Sequence, residues 1–189
     1  RITHDLMDGP ERLEDSIRAS LKQTSGKITA EDMGKLRNLK ATNASITDLS
    51  PLKAAINMEE LTLHDNAISD LSSLASMKNL RRLSLYRNRI SDLSPLAGLT
   101  NLRRIELDGN QITDLSPLAG LKQLTFLSLP NNPKVTRAEI DKLKQALPHR
   151  RITHDLMDGP ERLEDSIRAS LKQTSGKITA EDMGKLRNL

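Results

Sequence analysis

The chain contains no cysteine and almost no aromatic residues. Among its 189 residues tryptophan is absent, and tyrosine and phenylalanine occur once each. Without cysteine there is no disulfide-stapled fold, and thiol-based zinc, iron–sulfur and redox sites are excluded. No apolar run approaches the roughly 20 residues that a membrane-spanning helix needs. These absences predict a soluble protein without a membrane partner, long enough for one or two domains.

The end of the sequence repeats its beginning. Residues 151–189 are identical to residues 1–39 at every position. Natural repeats diverge, because most surface substitutions change stability very little. The identity therefore favours an engineered tandem, in which one unit, residues 1–150, is followed by the first quarter of the next. A duplication without purpose is the alternative that the sequence leaves open.

A shorter repeat lies inside this unit, and its period is the distance from Asn66 to Asn88. Asparagine marks it at Asn66, Asn88, Asn110 and Asn132, with Ala44 in the first position of that column. Apolar columns have the same spacing: Leu39, Leu61, Leu83, Ile105 and Leu127; Ala41, Leu63, Leu85, Leu107 and Leu129; and Ile46, Ile68, Ile90 and Ile112. Alternation such as Leu61-Thr62-Leu63 predicts one short strand per repeat, with leucine inward and the polar residue outward. The asparagine amides are expected to donate to backbone carbonyls of adjacent coils.

The pattern L-x-x-L-x-L-x-x-N-x-I, followed by D-L-S-P-L-A-G-L, resembles the leucine-rich repeats of bacterial internalin-like proteins. The resemblance covers residues 39–135 and, with its caps, residues 10–153. It implies an α/β fold: a right-handed leucine-rich-repeat solenoid with parallel strands on the concave face, short helical turns on the convex face, and helical caps. The terminal repeats are irregular at Ala41, Ala44 and Lys134, as the capping of a solenoid requires.

The chain is predicted to divide into five segments. They are a junction strand or linker (1–7), an amino-terminal helical cap (8–38), five leucine-rich repeats (39–135), a carboxy-terminal helix and edge-strand cap (136–153), and the duplicated amino-terminal cap of a following unit (154–189). Thr29 is predicted to be a helix N-cap, and Thr136 and Glu139 form a capping-box pattern. The edge strand expected near residues 150–153 shares the sequence Arg-Ile-Thr with residues 1–3.

Aspartate also recurs once per repeat, at Asp48, Asp70, Asp92 and Asp114. Stacked coils would place these carboxylates ~5 Å apart, which suggests a calcium site. Calcium, however, needs six or more oxygen ligands in one cluster, whereas a linear column suits hydrogen bonding in turns. The structural interpretation is favoured, and no metal or cofactor is predicted. The serines two positions later, at Ser50, Ser94 and Ser116, precede proline and are predicted to be helix N-caps.

The charge balance is mild. The 29 basic and 25 acidic residues leave a formal net charge of +4, too small to indicate nucleic acid as the partner. Six arginines fall in two successive repeats, at Arg81, Arg82, Arg87, Arg89, Arg103 and Arg104. They form either a basic patch for an acidic ligand or a solvated surface balanced by Asp92, Glu106 and Asp108, and the solvated surface is favoured. Because no aromatic residues are interleaved with them, nucleic-acid binding is not expected.

Catalysis has little support in the sequence. The histidines, at His4, His64, His149 and His154, accompany no nucleophile motif, phosphate-binding glycine loop or dinucleotide fingerprint, so the protein is predicted not to be an enzyme. The concave face is the better candidate for function, because solenoid curvature makes an extended recognition surface there. Its outward side chains are predicted to be Glu60, Thr62, His64, Arg82, Ser84, Tyr86, Arg104, Glu106, Asp108, Phe126 and Ser128.

Two functional hypotheses follow. The leading one is a non-catalytic leucine-rich-repeat scaffold, engineered as a tandem unit that assembles end to end with other copies of itself. Its interface would comprise the junction strands and the apolar face of the duplicated cap, namely Arg1, Ile2, Thr3, Ile152, Leu163, Ile167, Leu171, Ile178, Met183, Leu186 and Leu189. The alternative is a natural protein–protein interaction module of a bacterial surface protein, which binds an unknown protein through the concave face.

Overall fold

The computed structural model describes residues 12–155. Its regular elements are α1 Arg12–Leu21, α2 Ala30–Lys35, β1 Asn38–Lys40, β2 Glu60–Thr62, β3 Arg82–Ser84, β4 Arg104–Glu106, β5 Phe126–Ser128, α3 Arg137–Ala146 and β6 Arg151–Thr153. Short 3-10 helices lie between the first five strands, at Ser50–Ala54, Ser72–Leu74, Ser94–Leu96 and Ser116–Leu118. The predicted junction strand (1–7), nearly all of the duplicated cap (154–189) and every predicted interface residue except Ile152 lie outside the described residues.

The six strands form one parallel sheet in the order of the chain, β1 to β6. The pairing register of the first five strands joins residues one full repeat apart, so that Leu39, Leu61, Leu83, Ile105 and Leu127 are direct neighbours. The sixth strand pairs through Ile152 with Leu127. This arrangement of strands and 3-10 turns confirms the predicted right-handed leucine-rich-repeat solenoid.

The core consists of the apolar columns. Leu61, Leu83 and Ile105 are at most 1% exposed, as are the isoleucines Ile68 and Ile90. Burial of one such side chain contributes about 1.5–3 kcal/mol relative to an exposed position. Because each coil covers its leucines with those of the next coil, stability depends mainly on contacts between neighbouring repeats.

The asparagine column joins the coils through their backbones. The Nδ2 group of Asn110 donates to the Leu85 carbonyl of the preceding coil at 3.0 Å and to the Leu107 carbonyl of its own coil at 2.9 Å. These bonds confirm the predicted donation to adjacent coils. The asparagine oxygen also works as an acceptor, since Asn110 Oδ1 receives the backbone N–H of Ile90 at 3.0 Å. Each buried asparagine thus pairs groups that a tight turn would leave without partners.

The prediction that the serines cap the 3-10 helices is wrong. Ser94 is the first residue of its helix, and no side chain caps that helix. Instead, Asp92 Oδ1 accepts both the Ser94 backbone N–H at 2.8 Å and the Ser94 hydroxyl at 2.6 Å. These two bonds hold the pKa of Asp92 below its usual value. An ionised carboxylate is the stronger acceptor, so aspartate organises the turn and serine only donates to it.

The capping box predicted at the carboxy-terminal helix is only half formed. Thr136 accepts the Glu139 backbone N–H at 3.3 Å, but the Glu139 carboxylate does not return to Thr136. It accepts the backbone N–H of Leu115 at 3.3 Å and so ties α3 to the last 3-10 turn. The complete capping box lies at α2, where the Thr29 side chain accepts from Asp32 and the Asp32 carboxylate accepts from Thr29.

Candidate functional site

The predicted concave-face residues lie on β2 to β5 and at the second position after each strand. The register aligns them in rows that cross the sheet. One row contains Glu60, Arg82, Arg104, Phe126 and Arg151, and the next contains Thr62, Ser84, Glu106, Ser128 and Thr153. Since the leucine or isoleucine between the two rows points into the core, both rows stand on the open face of the sheet.

Two of the three arginines on these rows are paired with carboxylates. Arg82 contacts Glu60 at 2.9 Å, and Arg104 contacts Glu106 at 2.6 Å. Arg104 also lies over the ring of Phe126, with 4.1 Å between the guanidinium carbon and the ring centroid. Exposed ion pairs contribute only about 0–1 kcal/mol to stability. Their consequence here is electrostatic, because Arg151 is then the one arginine of the rows without a carboxylate partner among the described residues.

The arginines next to the rows, Arg81 and Arg87, also lie near carboxylates, but these are not the partners that the sequence predicted. Arg81 lies 3.9 Å from Glu59, and Arg87 lies 3.3 Å from Asp65. Of the expected counter-charges, only Glu106 forms an ion pair in the part of the chain that the structure describes. The acidic partners of Arg81, Arg82 and Arg87 all lie one coil earlier in the chain.

His64 and Tyr86 form a stacked pair on the concave face. Their ring centroids are 4.1 Å apart and their planes differ by 10°. Asp65 Oδ2 lies 2.7 Å from His64 Nδ1, and this bond holds the pKa of Asp65 below its usual value. Burial, followed by the charges of Asp65 and Glu106, raises the pKa of Tyr86. Tyr86 is therefore a neutral phenol in a negative environment.

A pocket of about 630 Å³ lies beside this pair. Its lining consists of Tyr86, Arg87, Glu106, Asp108, Gly109, Phe126, Ser128 and Asn131. Asp108 Oδ1 accepts the hydroxyl of Ser128 at 2.8 Å. Burial would raise the pKa of Glu106, but the neighbouring Ser84 hydroxyl and the Arg104 guanidinium lower it below its usual value. Glu106 is consequently ionised at neutral pH.

Sequence reasoning missed a column of left-handed residues that forms part of this pocket. Asn43, Asp65, Arg87, Gly109 and Asn131 have φ angles of 51°, 57°, 53°, 64° and 58°. Asparagine, aspartate and glycine adopt this conformation more readily than other residues. The recurrence of these residue types once per repeat could have predicted the left-handed column, although Arg87 does not fit the pattern. Gly109 is the one member of the column without a side chain.

Metal binding and membrane insertion find no support in the described range. Between residues 12 and 155, no three acidic or histidine side chains come close enough together to hold a metal ion. Within the same range no helix has the length and apolar character needed to cross a bilayer.

Comparison with known proteins agrees with this architecture. A family model for leucine-rich repeats, in two copies, matches residues 56–98, 78–120 and 100–145. No match was found among curated protein sequences. Many solved structures are similar, among them an internalin of Listeria monocytogenes, InlF, with 22% identity and a TM-score of 0.61 over 78% of this chain and 52% of that one.

Two further structures extend the comparison. Internalin C2 of Listeria monocytogenes is 25% identical, with a TM-score of 0.51 over 78% of this chain and 87% of that one. A leucine-rich-repeat protein of Leptospira interrogans is 28% identical, with a TM-score of 0.60 over 67% and 34%. The chain spans about half the length of the InlF chain that it matches. The family model shows leucine-rich repeats over residues 56–145, and the six-stranded sheet is similar in fold to these internalin and leucine-rich-repeat structures.

Proposed function

We propose that this protein is a non-catalytic interaction module that binds another protein through the concave face. The observation that carries the proposal is that Tyr86 and Phe126 line one pocket on that face, with Arg104 over the Phe126 ring. Aromatic residues and arginine dominate the binding energy of protein interfaces. Tyr86 and Phe126 are the only tyrosine and phenylalanine of the whole chain, and both lie at this pocket.

The arrangement around His64 supports binding rather than catalysis. One ring face is covered by Tyr86 and the Nδ1 atom is held by Asp65. A histidine that activates a nucleophile needs a hydroxyl or thiol within hydrogen-bond reach, and none of the described hydrogen bonds joins His64 to such a group.

Peptide selection tests the proposal without a known partner. Binders would be selected on the wild-type protein from a phage library of short random peptides, and their Kd values measured for two variants. Tyr86→Ser should weaken most binders by about tenfold or more, as for a hot-spot residue. The matched control is Ile56→Ser, because Ile56 is 51% exposed and follows the first 3-10 helix on the convex side. Binders that depend on Ile56 and not on Tyr86 would contradict the proposal.

End-to-end assembly is a second candidate function, favoured by one specific observation. Strand β6, Arg151–Thr153, is the last strand of the sheet and pairs only with β5 among the described residues. Its sequence is identical to residues 1–3, so in this proposal residues 1–3 of a second copy pair with the carboxy-terminal edge of the sheet. In this proposal the identical segments belong to an engineered tandem unit.

Light scattering tests the assembly. The particle mass of the wild-type protein should rise with concentration, and deletion of residues 1–7 should abolish the rise. A mass that stays at that of one 21.0 kDa chain over the whole range would refute end-to-end assembly. The concave-face proposal does not depend on this result.

A further inference from the structure

We infer that the pocket between Tyr86 and Asn131 receives a positively charged side chain, arginine or lysine, of the protein ligand. The inference rests on the proposed function and specifies the chemistry of the partner. It depends on three features of the pocket: an unpaired carboxylate, two aromatic side chains in the lining, and the space left by a glycine.

Asp108 provides the unpaired charge. Among the described residues, the Asp108 carboxylate accepts one hydrogen bond, from the Ser128 hydroxyl at 2.8 Å, and no cation pairs with it. Two of the nearby arginines are engaged elsewhere, because Arg104 contacts Glu106 and Arg87 contacts Asp65. Arg151 lies over the Phe126 ring at 5.5 Å but does not line the pocket. The charged residues of the lining are one arginine and two carboxylates, so the lining retains one net negative charge.

The aromatic walls strengthen the attraction for a cation. Tyr86 and Phe126 both line the pocket, and apolar walls reduce the screening of a carboxylate by water. The Phe126 ring is already covered by Arg104 at 4.1 Å, so the incoming charge binds the carboxylate rather than the ring face. A guanidinium or ammonium group supplies the matching donors.

Gly109 provides the space. At φ 64° it occupies the position that carries a side chain in Asp65, Arg87 and Asn131. A Cβ atom on this glycine would lie 3.4 Å from Arg87 Cγ, so a side chain here would fill the gap beside Arg87. The pocket volume of about 630 Å³ falls within the range of roughly 300–1,000 Å³ that is typical of ligand sites.

Other ligands fit the pocket less well. An acidic group would approach both Glu106 and Asp108 and would be repelled. A calcium ion needs six or more oxygen ligands, and within residues 12–155 no third acidic or histidine side chain joins these two carboxylates. An organic cation on a flexible side chain requires only one unpaired carboxylate and open space.

An NMR titration tests the inference directly. N-acetyl-arginine methylamide and N-acetyl-lysine methylamide would be added to ¹⁵N-labelled protein at about 1–50 mM, since a single side chain binds with millimolar Kd. N-acetyl-citrulline methylamide is the control, because it has nearly the shape of the arginine probe but no charge. The cations should shift the amide signals of Gly109 and Asn131 in a saturable way, and citrulline should not. Equal shifts with citrulline, or no saturable shift with either cation, would overturn the inference.

Two variants and a matched control locate the binding. Asp108→Asn removes the charge but keeps an oxygen that accepts from Ser128, and it should weaken binding at least tenfold. Gly109→Asn fills the space with the residue that Asn131 carries at a similar φ, and it should abolish saturable shifts. Glu31→Gln removes one charge from a side chain that is 85% exposed on α2, and its Kd should match that of the wild type.

The outcomes separate this inference from the proposed function. If the cations fail to bind while selected peptides still lose affinity in Tyr86→Ser, the concave face binds proteins but not through a cationic anchor. If the cations bind as described while the peptides ignore Tyr86, the pocket stands and the protein-binding proposal falls. A Kd of Asp108→Asn within twofold of the wild type would refute the role of its charge.

Discussion

Replacement of Asn110 by alanine tests whether the asparagine column holds neighbouring coils together. Asn110 is 3% exposed. Its Oδ1 accepts the Ile90 N–H at 3.0 Å, and its Nδ2 donates to the carbonyls of Leu85 and Leu107 at 3.0 and 2.9 Å. The Ile90 N–H has no other acceptor among the described residues. Alanine therefore leaves a buried donor unpaired.

The expected loss of stability depends on which hydrogen bonds the former partners of Asn110 keep. Leu85 O keeps a bond from Asn88 Nδ2 at 3.0 Å, and Leu107 O keeps one from Asn132 Nδ2 at 2.9 Å. The unpaired N–H costs about 1–3 kcal/mol, and the lost bonds to the Leu85 and Leu107 carbonyls add about 0.5–1.5 kcal/mol each, which gives about 2–6 kcal/mol in all. Because both carbonyls keep a second donor, we expect the free energy of unfolding to fall by an amount in the lower half of this range, about 3 kcal/mol.

Urea unfolding followed by far-UV circular dichroism measures this change, provided that the slope m stays that of the wild type. The control is Asn79→Ala, since Asn79 is exposed and donates only one long bond, 3.4 Å, to Asn57. It should change stability by less than about 0.5 kcal/mol. If both variants lose the same free energy, the asparagine column does not contribute what its hydrogen bonds indicate.

Three further predictions concern the amino-terminal cap, two glycines and the core. Hydrogen bonds from the Thr29 hydroxyl and backbone lower the pKa of Asp32 to about 2. Since this lies below the unfolded value of about 3.9, the stability that Asp32 contributes to α2 is complete above about pH 4 and is lost as the pH falls through about 2. A ¹³C titration of the carboxyl carbon should therefore have its midpoint near 2 rather than near 4. Gly120→Ala should raise stability by about 0.4–1 kcal/mol, because nothing lies within 4 Å of the added Cβ. Gly26→Ala should lower stability, because Gly26 has a φ of 85° that strains alanine. Thermal melts with the opposite order of melting temperatures would contradict this. Ile105→Ala, at a site 0% exposed, should cost about 2–5 kcal/mol in urea unfolding, and a loss below about 1 kcal/mol would show that the core column repacks.

The fold was predictable because the apolar core residues recur at the same spacing as the coils. Leu61, Leu83 and Ile105 are each one full repeat apart, and parallel coils can bury them together only when the strands pair at the same spacing. The asparagine column follows from the same reasoning, because a buried turn must satisfy its backbone groups. A regular solenoid thus converts a sequence period directly into a pairing register.

The details that the sequence did not reveal arise from contacts between coils. Nothing local distinguishes Glu139 as a partner for the N–H of Leu115, which belongs to the preceding coil. The choice between Asp92 and Ser94 as the organising group of the turn depends on hydrogen-bond geometry, which composition does not specify. The pocket depends on Gly109 lying beside Arg87 of the neighbouring coil, and a single glycine in a left-handed column is a weak signal.

In the proposed function, stability and recognition depend on different columns of the same repeat. The core column is almost uniform from coil to coil, whereas the face row changes from Glu60 to Arg82, Arg104 and Phe126. A substitution in the core column removes contacts on both neighbouring coils, so its cost appears in unfolding. A substitution in the face row loses at most an exposed ion pair or ring contact, which contributes little to stability. If the concave face binds protein as proposed, variants of the face should therefore change which ligand binds while the melting temperature stays nearly constant.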